Sequence, residues 1–115
     1  MKIAIIGSRT IYIPPQKLAK YIPNTVTQII SGGANGIDTS AREYALLYNL
    51  RLVEYLPDYK KYKRGAPIKR NMEIIENSDL VIAFWDGKSR GTKFVIEACK
   101  KQNKEIIIHL IERNN

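Results

Sequence analysis

Apolar residues along this chain fall into short unbroken runs, and between the runs they recur every three or four positions. The runs at 2–6, 26–30, 51–56, 80–84 and 105–110 show little polar alternation, as expected of strands covered on both faces in a parallel sheet. The intervening segments at 16–21, 37–49, 67–77 and 93–101 carry helical spacing; Ile37, Ala41, Ala45 and Tyr48, for example, share one face of the second. Pro14 and Pro15 suit the first turn of the first helix, and Pro57 closes the third strand. No hairpin signal separates any two strands, so five strands alternating with helices predict parallel βαβ units with right-handed crossovers. The fold class is therefore α/β, a Rossmann-like doubly wound parallel five-stranded sheet of order 3-2-1-4-5, formed by a single domain over residues 1–115.

In that order the chain reverses between strands 1 and 4, and the loops leaving their carboxyl ends flank one crevice. Both loops have the composition of an anion cradle. Strand 1 runs into Gly7-Ser8-Arg9, and strand 4 runs into Trp85-Asp86-Gly87-Lys88-Ser89-Arg90-Gly91-Thr92. Gly87 and Gly91 permit tight turns, and Thr92 is the expected cap of the helix that follows. Unpaired N–H groups and the macrodipole at such a helix start favour a negative ligand. The loop after strand 2, Ser31-Gly32-Gly33-Ala34-Asn35-Gly36-Ile37-Asp38, has three glycines in five residues and is a second site of close backbone approach. Asp38 has two readings here, a cap for the following helix or a partner for a sugar hydroxyl.

Charge supports an anionic partner without naming it. Nineteen Lys and Arg against eleven Asp and Glu give a net charge of +8 and a pI near 9.7. The excess concentrates between Asp58 and Arg70, where Lys60, Lys61, Lys63, Arg64, Lys69 and Arg70 are interleaved with Tyr59 and Tyr62. Such a mixture suits backbone phosphates and stacked bases, and equally a solvated surface loop. With one Cys and one His there is no basis for a disulfide within the chain or a thiolate metal centre. Cys99 is expected as a small buried hydrophobe and His109 as a core or edge-strand residue. No resident cofactor is required, and Mg²⁺ would arrive only with a phosphate ligand. The apolar runs are far shorter than the roughly 18 residues that cross a membrane, and Met1 leads directly into a strand, so a cytoplasmic protein without membrane association is expected, ending in a polar tail at 112–115.

The four segments Gly7-Ser8-Arg9, Ser31 to Asp38, Arg70-Asn71 and Phe84 to Thr92 resemble, in order and spacing, the SLOG superfamily, and within it the small stand-alone YspA-like branch related to the YpsA proteins. Its relatives include the DNA-processing protein A family, which binds single-stranded DNA, and the Lonely Guy phosphoribohydrolases, which split nucleoside monophosphates. The resemblance implies a Rossmann-like fold holding a nucleotide-type ligand over the loops after strands 1, 2 and 4, and homodimers. The phosphoribohydrolases carry a glutamate within about three residues of their Gly-Thr pair. Here Lys93, Phe94 and Val95 follow Gly91-Thr92, and the first acid is Glu97.

Three functions follow as expectations. The leading one is a binding module for a nucleotide-derived ligand. Gly7, Ser8, Gly32, Gly33, Gly87, Ser89, Gly91 and Thr92 would cradle its phosphate, Arg9, Arg70 and Arg90 would neutralise it, and Trp85 would stack on a base or support the sheet. Ala34, Asp38 and Asn71 complete the expected ligand-binding set. The second is a nucleoside 5'-monophosphate N-glycosidase using Asp86, Glu97 or Asp38 as its catalytic carboxylate. The third is single-stranded nucleic-acid binding through the basic 60–70 segment.

Overall fold

A computed structural model describes residues 1–112; positions 113–115 of the expected polar tail lie outside the described residues. The chain runs through β1 (Lys2–Gly7), α1 (Pro15–Leu18), β2 (Gln28–Ser31), α2 (Ile37–Leu47), β3 (Arg51–Glu54), α3 (Tyr59–Tyr62), α4 (Ala66–Glu76), β4 (Leu80–Trp85), α5 (Arg90–Lys101) and β5 (Ile106–Leu110). All strand pairs are parallel and the order is β3-β2-β1-β4-β5, as the alternation of runs predicts.

The central strands are apolar on both faces because helices cover both. Alternate residues of β1 and β4 point to opposite sides. Ile3, Ile5, Leu80, Ile82 and Phe84 enter one core with Leu18 of α1 and with Ile37, Ala41, Tyr44 and Ala45 of α2. Ala4, Ile6, Val81 and Ala83 enter the other with Ile74 and Ile75 of α4 and with Val95, Ile96 and Cys99 of α5. The register sets Ile3 against Leu80 and Gly7 against Phe84, so the β1 and β4 loops leave the sheet at the same height. That shared exit is what builds a crevice.

Local signals shifted several boundaries. The expected helix at 16–21 is one α turn followed by a 3-10 turn over Ala19–Tyr21. Val26 and Thr27 precede β2, where the Val26 N–H bonds the Pro23 carbonyl in a turn. α5 begins at Arg90 and is capped by Ser89, whose Oγ accepts from the Thr92 N–H at 3.4 Å; Thr92 is therefore inside the first turn and not the cap. The basic 58–70 stretch is ordered as α3, a 3-10 turn over Lys63–Gly65 and the start of α4, with Asp58 capping α3 through the Lys61 N–H at 3.2 Å. His109 lies on edge strand β5, stacked on Phe84 at 5.3 Å between ring centroids, with Tyr21 edge-on at 4.7 Å. Cys99 is fully buried. Among the described residues no helix is long and apolar enough to cross a membrane, and no group of His, Cys, Asp and Glu could hold a metal.

Candidate functional site

The loops after β1, β2 and β4, the middle of α4 and the start of α5 line an open cleft of about 420 Å³. Ile6, Ile74 and Val95 form a buried apolar floor, while Arg9, Thr10, Lys88 and Gly91 stand exposed at the mouth.

Backbone packing holds the β1 loop against its neighbours. The Ser8 N–H donates to the Phe84 carbonyl at 3.1 Å, and the Ser8 carbonyl accepts from the Ile37 N–H at 3.4 Å. A Cβ on Gly7 would lie 2.4 Å from the Phe84 carbonyl oxygen and 2.7 Å from Ile37 Cγ1. Gly36, at φ +71°, passes directly beneath the Arg9 carbonyl, where a Cβ would come within 2.5 Å. The glycines of the two loops thus serve loop-on-loop contact as well as any ligand.

Arg70 reaches across the cleft from α4. Its Nη1 donates to the Gly32 carbonyl at 2.8 Å and the Tyr55 carbonyl at 3.3 Å, and its Nε donates to Asn71 Oδ1 at 2.9 Å. Gly32 is required for this approach, because a Cβ there would lie 2.7 Å from Nη1. Asp38 does not cap its own helix; its carboxylate turns back and accepts from the Ala34 N–H at 3.0 Å, closing the β2 loop. Burial pushes the Asp38 carboxyl above the ordinary value, and the Ala34 N–H and the nearby Arg70 charge offset this only in part.

Asp86 is the opposite case. Its Oδ1 accepts from the Ser89 and Lys88 N–H groups, both at 2.8 Å, while its Oδ2 accepts from Thr10 Oγ1 at 3.2 Å and its own N–H donates to Ser8 Oγ at 3.2 Å. Those bonds, the backbone ones foremost, lower its pKa to about 2. The folded chain therefore keeps Asp86 ionised where the unfolded chain takes up a proton, so its contribution to stability is whole above 3.8 and is lost as pH falls toward about 2. An Asp86→Ala variant is expected to lose stability at neutral pH and to show a shallower acid-unfolding curve across that window, measured by circular dichroism against pH.

The cleft gathers Gly7, Ser8, Arg9, Gly32, Ala34, Asp38, Arg70, Asn71, Asp86, Ser89, Gly91 and Thr92 from the sequence-predicted residues. Gly33, Trp85, Gly87, Arg90 and Glu97 lie outside its lining. Trp85 supports the loop, its Nε1 donating to the Ser89 carbonyl at 3.0 Å. Glu97 is exposed on α5 with Lys93 Nζ at 3.9 Å. The structure adds Thr10 and Lys88 to the lining; both sit within a residue or two of the phosphate-type turns and carry donors, which is the signal that marks them in the sequence.

Arg9, Arg70 and Lys88 all line the cleft, and among the described residues none has a carboxylate within 4.0 Å, the ion pairs being Arg42–Glu54 and Lys93–Glu97. Three cations and the start of α5 face the cleft beside two carboxylates, one buried and one bonded to three donors, a balance of charge that favours an anion over a cation. Fold and cleft together define a Rossmann-like α/β domain of the SLOG superfamily. More narrowly, the chain belongs to the DNA recombination-mediator protein A family, whose model matches residues 1–85. Among solved structures it is similar to DNA processing protein A from Helicobacter pylori, described for its single-stranded DNA binding mode, with 27% identity, a TM-score of 0.72, and coverage of 100% of this chain and 67% of that one. No curated protein sequence matches the chain.

Proposed function

We propose that the cleft binds single-stranded nucleic acid, DNA in the first instance, by its sugar-phosphate backbone. The observation that carries this reading is the set of three cations without ion pairs among the described residues, Arg9, Arg70 and Lys88, around an open-mouthed cleft. Among the described residues no aromatic side chain lines that cleft, so recognition falls on phosphate and sugar and not on a stacked base. An exposed mouth also lets a strand enter and leave, and the similarity to a single-stranded-DNA-binding protein agrees with this.

The test is fluorescence anisotropy of a labelled thymidine oligomer at low salt, with wild type and Arg9→Ala. Arg9 is exposed at the mouth, so its loss should leave the fold intact and weaken binding by about 10-fold to 100-fold, the range for one hydrogen bond to a charged group. Affinity should fall with salt at a logarithmic slope of about −0.7 per phosphate neutralised. Failure of wild type to bind at low salt would overturn the proposal. A cleft of about 420 Å³ also suits a free nucleotide-derived ligand, the second reading, and a nucleoside phosphate that binds where the oligomer does not would select it. Release of ribose phosphate from nucleoside monophosphates would add an N-glycosidase activity, with Asp38 or Asp86 as its carboxylate, since both line the cleft and Glu97 does not.

A further inference from the structure

We infer that the knob formed by α3 and the 3-10 turn over Lys63–Gly65 is a second contact for the same strand, carrying it onward from the cleft. This rests on the cleft reading and extends it. Lys60, Lys61, Lys63, Arg64 and Lys69 are all exposed, and none has a carboxylate within 4.0 Å among the described residues. Asp58, the single acid in the stretch, has Oδ1 engaged by the Lys61 N–H.

Two features distinguish the knob from a solvated run of lysines. Lys61 Nζ and Lys69 Nζ lie 5.3 and 5.8 Å from the centroid of one ring, Tyr62, which draws two ammonium groups from different helices to a common platform. Lys63 holds φ +54° and ψ −126°, a corner that glycine ordinarily occupies, and strained backbone of that kind persists where the surroundings impose it. Tyr59 stands 59% exposed at the start of α3, free to stack on a base.

The knob is continuous with the cleft. Arg70, which lines the cleft, follows Lys69 directly and lies four residues into α4, about 6 Å along its axis from Ala66, where the knob ends. The β3-α3 connection is tied to the same point, because Arg70 Nη1 bonds the Tyr55 carbonyl. A strand that leaves the cleft past Arg70 toward the start of α4 meets the lysines next. The cleft would hold the phosphates of a short oligomer, and the knob would be reached only by a longer one.

The experiment compares a thymidine tetramer with a thymidine dodecamer by fluorescence anisotropy as a function of salt. The proteins are wild type, Lys60→Gln/Lys63→Gly/Arg64→Gln, and Tyr59→Ala. The triple variant spares both cations that hold Tyr62, and glycine at 63 suits the backbone there, so the fold should survive; a thermal melt confirms it. Expected is unchanged tetramer binding with dodecamer binding weakened at least tenfold and a salt slope smaller by about 0.7 for each phosphate no longer neutralised. Tyr59→Ala should weaken the dodecamer alone. Dodecamer affinity and slope equal to wild type in the triple variant would overturn the inference while leaving the cleft reading intact. Tetramer binding absent from wild type, with a dodecamer that still depends on the knob, would overturn the cleft reading and leave the knob as the contact. Equal competition by polyglutamate would assign the knob to acidic proteins and overturn the inference.

Discussion

Gly7→Ala should lower the unfolding free energy by about 3 kcal/mol or more, read from chemical denaturation, and should abolish oligonucleotide binding with it. The added methyl would meet the Phe84 carbonyl oxygen at 2.4 Å and Ile37 at 2.7 Å, and neither can yield cheaply. Phe84 is the residue paired with Gly7 in the sheet register, and Ile37 opens α2 with no exposed surface. Relief would require separating β1 from β4 or lifting α2, and either movement opens the cleft. Against a total stability of about 5 to 15 kcal/mol, that is a large fraction. Gly91→Ala is the contrasting control. A Cβ there meets nothing within 4 Å, and alanine in the first turns of α5 should leave stability unchanged or raise it by up to about 1 kcal/mol.

Arg70→Ala should show the second large effect, and its signature is the loss of stability and binding together. The guanidinium joins three elements, bonding the Gly32 carbonyl after β2, the Tyr55 carbonyl after β3 and Asn71 on its own helix. Hydrogen bonds from a charged donor are worth about 1.5 to 3 kcal/mol, and their removal also leaves the buried Asp38 without its nearby positive charge. The Asp38 carboxyl should then rise further, and because its pKa is already raised on folding, its effect on stability becomes unfavourable as pH climbs above 3.8. Lysine would not rescue the variant, since one ammonium cannot reproduce the planar spread of donors. Denaturation midpoints and oligonucleotide affinity measured on Arg70→Ala, Arg70→Lys and Arg9→Ala separate the two roles: Arg9→Ala should lose affinity alone.

The cleft sits where doubly wound sheets place their ligands, outside the carboxyl ends of strands at the reversal of strand order. Both carboxylates of the cleft are engaged by their own loops. Asp86 spends its charge on the N–H groups of its own turn, and Asp38 closes the β2 loop from a buried position. Asp86 keeps its negative charge and Asp38 is withdrawn into the β2 loop, so Arg9, Arg70 and Lys88 outnumber the carboxylates that line the cleft.

The sequence by itself determined the strands and their order, because runs such as Ile3 to Ile6 and Leu80 to Phe84 can be buried on both faces only between two helical layers. It also located the crevice, since Gly7, Gly32 and the turn at 86–92 must leave the same edge of a parallel sheet. Tertiary structure decided how individual side chains are used. Thr92 and Ser89 are both fit to cap α5, and the cap went to Ser89 once Asp86 had fixed the turn before it. Trp85 and Lys88 are three residues apart, yet Trp85 donates to the Ser89 carbonyl while Lys88 lines the cleft. Glu97 and Asp38 are both acids shortly after a glycine loop, but the first points to solvent and the second folds back on Ala34. Periodicity reports which face of an element is buried, a property of neighbours along the chain. The direction of one side chain in a loop depends on contacts between residues far apart in sequence, and those exist only after the sheet has assembled.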